Sequence, residues 1–253
     1  KLIINDDNRG FPTAANQGIR ASAGRQILLL NNATVVTTGW LRRMLRAMHS
    51  DPTIGLVGPC CNSVSGPQQV SVTYGKDLIG LDGFAWMCGK ANDRHMAETD
   101  RLVGFCFLIR REVVDRVGLM DERFGIGCFE DDDYTRRAME AGFRAVIARD
   151  AFVHHYGGRT FVATGVDFAG LMARNQQLYH QKWNNADALR SGISATDSSL
   201  KPCLAPRLSL QVGDRGGLFL VPAAARVSLC MIARDNKRTI AAAIKSAQRC
   251  VDE

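Results

Sequence analysis

The chain has 253 residues, 46% of them hydrophobic and 23% charged, with a formal net charge of +7 and a pI near 9.1. That is enough apolar material for one large core, or one core with a small appendage. No apolar run reaches the roughly 20 residues that span a membrane, and the longest, "GLFLVPAAARVSLCMIA", is broken by Pro222 and Arg226. The eight cysteines contain no C-x-x-C pair, which argues against a zinc ribbon. Those in "GFCFLI" and "SLCMIA" read as buried free thiols of a reducing compartment. The basic balance suits phosphate-bearing partners and selects none. Aromatic residues make up 7% and are not interleaved with basic ones, so nucleic-acid binding is not expected.

In chain order, "KLIIN" reads as a short strand. "DDNRGFPTAANQGIRASAG" begins with turn chemistry and becomes helical, with Gly24 marking the helix end. "RQILLL" is a continuous apolar run, as expected of a strand buried on both faces, and it ends in the polar cluster "NNAT". Trp40, Leu41, Met44, Leu45 and Met48 share one helical face, and Asp51-Pro52 stops that helix. "TIGLVGP" is the next strand. The alternation argues an α/β fold with a mostly parallel sheet, in which ligands gather at the C-terminal strand ends, near "NNAT". Residues 62–100 are irregular. "RLVGFCFLIRREVVDRVG" gives a strand and a short helix, and "LMDERFGIGCF" is a glycine-rich loop. Tyr134, Ala138 and Ala141 then have helical spacing before the cap Gly142. "FRAVIARDAFVHHYGG" reads as strand, turn, strand, and "VDFAGLMARNQQLYHQKW" as a long amphipathic helix.

Three groups stand out chemically. Glu130, Asp131, Asp132 and Asp133 run consecutively into a helix. Acids there complement the macrodipole, by ~0.3–1 kcal/mol each when exposed. That accounts for one or two of them, and a carboxylate aimed into a cleft can serve as a general base or bind a metal. His154 and His155 close a strand before "YGG", where a ligand or phosphate contact and a purely structural role are equally open. In "NNAT", Asn32 and Thr34 either contact a nucleotide or cap the next helix. There is no Walker A and no G-x-G-x-x-G motif, so neither hydride transfer nor a kinase-like phosphate loop is supported. The spacing H-x-x-x-H is also absent, which disfavours a metal-dependent hydrolase.

The stretches "NRGFPTAANQGIRASAGRQILLLNNATVVTTGWL", "GFCFLIRREVVDRVGLMDERFGIGCFEDDDYTRRAMEAGF" and "VHHYGGRTF" resemble family 2 glycosyltransferases of the GT-A fold, and the rhamnosyltransferase-like group most. The resemblance implies inverting transfer of a sugar from a dTDP- or UDP-linked donor to a saccharide or lipid-linked acceptor, in bacterial surface polysaccharide synthesis. Carried over by motif, Asp131 is the general base and Glu130 its catalytic neighbour. Asn8, Gly10, Asn16, Asn31 and Asn32 fall in donor-binding segments. Gly104, Phe105, Asp133 and Arg137 fall in acceptor- or sugar-binding ones. His154, with His155 as alternate, matches a contact to metal or diphosphate. A divalent cation, Mg²⁺ or Mn²⁺, is implied. One departure stands out: Ala33 occupies the place of the usual metal-binding Asp, and a methyl group cannot ligate a cation.

The resemblance also divides the chain: 1–183 a glycosyltransferase domain lacking its first strand and helix, 184–225 a linker, and 226–253 the start of a second such domain. A cytoplasmic protein in peripheral contact with the inner membrane is expected. The alternative is a non-catalytic module that binds sugar nucleotide or scaffolds a partner, an expectation to which Ala33 lends weight.

Overall fold

A computed structural model describes residues 3–157, 167–191 and 227–232. The elements run α1 (Phe11–Ala21), β1 (Gln26–Asn31), β2 (Thr34–Val36), α2 (Trp40–Ser50), β3 (Ile54–Cys60), α3 (Leu81–Ala91) and β4 (Met96–Glu98). They continue with β5 (Cys106–Arg110), α4 (Arg111–Val117), a 3₁₀ turn (Glu122–Phe124), α5 (Glu130–Glu140), β6 (Arg144–His155), α6 (Phe168–Ser191) and β7 (Val227–Ile232).

One sheet organises them, in the order β2-β6-β3-β5-β1-β7, with β4 also on β6. β7 is parallel to β1 and β3 is parallel to β6. β5 lies between β1 and β3, antiparallel to both. Strands β1, β3, β6 and β7 therefore point the same way. The fold is α/β as expected, but the sheet is mixed rather than mostly parallel, with β2, β4 and β5 running against the common direction.

Both faces of the sheet are covered. On one, Ile27, Leu29, Phe107, Ile109 and Phe152 pack with Ala15 and Ile19 of α1 and Tyr134 and Ala138 of α5. On the other, Leu28, Leu30, Leu108 and Val153 meet Trp40, Met44 and Met48 of α2. This two-sided burial is why β1 reads as an unbroken apolar run. Each fully buried side chain of this size contributes about 1.5–3 kcal/mol.

Four expectations change. Residues 3–5 form no strand, and Ile4 is 78% exposed. The free edge of β1 is taken instead by β7, from the segment read as opening a second domain. The second half of the chain shows no turn at Arg149-Asp150: β6 is one strand, with a register shift against β3 at Pro59/Cys60. Asp150 is buried there, paired with Arg46 and accepting the Arg94 amide at 3.0 Å. Finally, α6 runs on to Ser191, into the stretch read as a linker. Residues 192–226 and 233–253, and with them most of the linker and the final helix, lie outside the described residues. The thiols Cys60, Cys61, Cys88, Cys106, Cys128 and Cys230 are free.

Candidate active site

The parallel strands end at Asn31, Cys60 and His155, and the candidate site is built on that edge. Phe105, just before β5, accepts the Asn31 amide on its carbonyl at 2.8 Å. Asn31 then turns the chain: its Oδ1 accepts the Ala33 amide at 2.8 Å, and its carbonyl accepts the Thr34 hydroxyl at 2.6 Å. Neither "NNAT" residue caps α2, whose N-cap is Gly39. The chain crosses the strand ends to reach β2, whose pairing sets Val35 opposite His154, while the Tyr156 amide donates to the Ala33 carbonyl at 2.9 Å. Ala33 and the two histidines are thereby brought together.

The acids of α5 splay in four directions, as a 100° helical step requires. Glu130 lies against Gly127, 5% exposed, with Oε2 buried and without a hydrogen-bond partner. Asp131 Oδ2 accepts the Gly104 amide at 2.7 Å, and Oδ1 accepts the Asp132 amide at 2.9 Å. Asp132 pairs with Arg101 at 2.7 Å. Asp133, fully buried, is held by Arg137 Nε at 2.9 Å, Lys182 Nζ at 2.7 Å and Trp183 Nε1 at 3.1 Å. Burial, reinforced by Asp132, pushes the Asp131 carboxyl up to about 6 against the two amides that lower it. Burial and the adjacent Asp131 push Glu130 well above the usual carboxylate range. The crowding of acids is thus relieved by dispersal and by proton uptake.

The loop before α5 is tightly fixed. Cys128 and Phe129 have φ of 77° and 72°, a region costly for residues with a Cβ. Asn175 of α6 compensates: its Nδ2 reaches the carbonyls of Phe124 and Gly127 at 2.8 Å and of Cys128 at 3.1 Å. Sequence reasoning passed over Asn175, although a polar residue on the apolar face with Leu171, Tyr179 and Trp183 is itself a signal. On the facing side, Gly10 allows close approach. A Cβ there would stand 2.0 Å from the Gly125 carbonyl oxygen, and its φ is 81°. Asn8 Oδ1 accepts the Gly10 amide at 3.1 Å, closing the turn. Phe11 covers Gly104.

The residues singled out from sequence fall into two sets. Gly10, Gly104, Phe105, Glu130, Asp131, Asn31 and the histidines converge on the strand edge. Asn16 does not: its amide is spent on Met120 and Glu122, and it is 1% exposed. Asp133 and Arg137 brace α5 against α6 and the carbonyls of Val117 and Leu119. Asn32 is half-buried in the turn.

The two histidines face opposite sides of the sheet. His154 Nδ1 shares a hydrogen with the Tyr74 hydroxyl at 2.7 Å, and its Nε2 is buried with no partner. His155 stacks on Phe105, with ring centroids 5.2 Å apart and planes at 24°. Its Nδ1 lies 2.9 Å from the Ser63 carbonyl. A carbonyl only accepts, so Nδ1 carries the hydrogen and Nε2 holds the lone pair. Burial lowers both histidines below the usual imidazole value and keeps them neutral. A neutral imidazole whose Nε2 has no partner, as in His154, fits a divalent cation. Among the described residues no three His, Cys, Asp or Glu side chains converge to hold one by themselves.

The sequence profile described as "Glycosyltransferase like family 2" matches residues 1–171. The chain belongs to this family. The α/β sheet flanked by helices is its GT-A arrangement. The O-antigen biosynthesis protein RfbC of Myxococcus xanthus is 27% identical over 158 residues, 57% of this glycosyltransferase-like chain but 12% of that protein. Two solved structures overlap it more loosely. GalNAc-T7 with UDP, GalNAc and Mn²⁺ has a TM-score of 0.45 at 16% identity, over 60% of this chain and 31% of that one. The mannosyltransferase PcManGT of Pyrobaculum calidifontis, with GDP-Man and Mn²⁺, has a TM-score of 0.43 at 19% identity, over 77% and 48%. No helix among the described residues is long and apolar enough to cross a membrane.

Proposed function

We propose that this glycosyltransferase moves a sugar from a dTDP- or UDP-linked donor to an acceptor hydroxyl with inversion, and that Asp131 is its general base. The observation that carries the reading is the Asp131 carboxylate, buried at the start of α5, oriented by the Gly104 amide and titrating near 6. Such a group is ionised at neutral pH yet basic enough to accept a proton. The acceptor oxygen forms the new bond to the anomeric carbon, the bond from that carbon to the diphosphate oxygen breaks, and the acceptor proton passes to Asp131. Glu130, whose carboxyl is pushed well above the usual carboxylate range by burial and by Asp131, shapes the pocket.

The loops at Asn8–Gly10 and Asn31–Asn32 border the donor, and Gly104–Phe105 the sugar and acceptor. Asn16, Asp133 and Arg137 are given bracing roles. When bound, a divalent cation would neutralise the leaving diphosphate. His154, with its unpartnered Nε2, is the first candidate to hold it, and His155, whose tautomer the Ser63 carbonyl sets, is the alternate, the remaining ligands coming from phosphate and water. The activity belongs to surface polysaccharide synthesis in the cytoplasm, a reading supported by the resemblance to the O-antigen protein. Contact with the membrane face is supported by Ile79, Trp86 and Met87, which are 77%, 61% and 64% exposed at and beside α3.

Asp131→Asn tests the reading. Turnover falls by about 10²–10⁴-fold while UDP or dTDP binding persists; unchanged turnover would remove Asp131 from the role. One observation favours a second reading, a non-catalytic sugar-nucleotide-binding module: Ala33 in place of an acid. A chain that binds nucleotide but transfers sugar only after Ala33→Asp would be such a module.

A further inference from the structure

The imidazole of His155 is held from outside its own strand. Asn62, in the turn after β3, grips the His155 peptide from both sides. Its Nδ2 donates to the His155 carbonyl at 3.0 Å, and its Oδ1 accepts the His155 amide at 2.8 Å. Both partners are backbone groups of fixed character, so the orientation of the Asn62 amide is not free. The next residue, Ser63, presents the carbonyl that accepts His155 Nδ1–H at 2.9 Å. Phe105 closes the opposite face of the ring, and the residue before it, Gly104, orients Asp131. Gly157 completes the fit: a Cβ there would stand 2.8 Å from the Ser63 hydroxyl oxygen, so the turn at 62–63 packs directly on the turn after β6.

We propose that Asn62 is a positioning residue: by clamping the His155 peptide it delivers the Ser63 carbonyl to Nδ1, fixing the tautomer whose Nε2 lone pair faces the donor's diphosphate and its cation. A purely structural clamp would hold two turns together and leave the imidazole indifferent. Here the clamp and the Nδ1 acceptor are adjacent residues, so loosening one withdraws the other. The alternative tautomer carries its hydrogen on Nε2 and cannot ligate a cation through that atom. Outer partners that orient a ligating histidine typically alter metal affinity by about 10–100-fold.

This inference rests on the donor reading for its purpose, but its first test does not. Nitrogen NMR of imidazole-labelled protein, without nucleotide or metal, reports the tautomer of each neutral histidine, and a His155→Gln variant assigns the signal. The Nδ1–H form is expected in the wild type. In Asn62→Ala, and independently in Gly157→Ala, the signal moves toward the Nε2–H form. Asn62→Asp keeps the acceptor for the His155 amide but not the donor, and it covers the case in which the alanine variant fails to fold. Calorimetric titration of UDP with and without Mn²⁺ is the second readout. Asn62→Ala lowers UDP·Mn²⁺ affinity by about 10–100-fold and leaves UDP alone unchanged. Wild-type His155 in the Nε2–H form, or a tautomer unmoved in folded Asn62 and Gly157 variants, would overturn the proposal. A moved tautomer with no nucleotide binding in any variant would uphold the clamp and count against the donor reading instead.

Discussion

Asp131 carries opposite consequences for catalysis and for stability. Its carboxyl is raised to about 6 in the fold against an ordinary value of 3.8. The folded chain therefore binds a proton more tightly than the unfolded one, and the resulting stability is complete below about pH 4 and lost as pH rises through 6. Activity runs the other way, because the base must be ionised: turnover should rise through an acid limb near pH 6 and then level off. Asp131→Asn should abolish that limb with the activity, and its effect on stability should be more favourable at pH 7.5 than at pH 5, because it removes the charge that burial opposes while leaving one of two backbone N–H donors without its acceptor. Urea unfolding of both proteins at pH 5 and pH 7.5 checks the sign. Beside it, Ala33→Asp adds a carboxylate near the histidines and should strengthen Mn²⁺-dependent UDP binding about tenfold or more, read by calorimetry. These acids and histidines were legible in the sequence because motif spacing marks reactive side chains. Asn62 was not: it lies in the irregular region 62–100, and its function is to hold a backbone distant in sequence.

At the level of elements, α6 fixes the loop that presents α5. Asn175 alone serves three carbonyls around two residues with positive φ. Asn175→Ala should cost about 1–3 kcal/mol by leaving buried acceptors unpaired. It should also depress turnover, because Glu130 and Asp131 follow that loop directly. Asp133→Ala should cost more, about 3–5 kcal/mol, since it leaves the Arg137 charge without its carboxylate and the Trp183 N–H without its acceptor, while Lys182 keeps Asp121. Thermal unfolding and turnover on the same preparations separate the two effects. Apolar periodicity was enough to read α2, β1, β3 and the part of α5 from Tyr134 on, whose buried faces are what periodicity reports. It misjudged β6, where Arg149-Asp150 looked like a turn. The Arg46 partner that lets Asp150 remain inside a strand is more than a hundred residues away in sequence.

Across the whole molecule, the sheet is completed by a strand from far along the chain. β7 hydrogen-bonds to the full length of β1, Ser228 accepts the Gly24 amide at 2.8 Å, and Cys230 packs on Gly18. A Cβ at Gly18 would lie 2.9 Å from that of Cys230. Gly18→Leu should therefore push β7 away, uncover the β1 edge and promote self-association, since an open edge strand templates pairing. Light scattering and thermal unfolding check this, and an unchanged scattering mass with unchanged melting would show that β7 is dispensable there. The strand character of 227–232 was evident from its residues, but its place was not, because local pattern does not say which edge a strand will join. The α5 carboxylate does not depend on that edge, and proton acceptance by Asp131 is the step on which the proposed transfer turns. The measurement that tests it is transfer from UDP- and dTDP-sugars to a saccharide acceptor by wild type and Asp131→Asn, with nucleotide binding measured on both. Matched binding is expected, with turnover lower by about 10²–10⁴-fold in the variant and an acid limb near pH 6 in the wild type alone. Equal turnover in the two proteins, or the same acid limb in both, would contradict it.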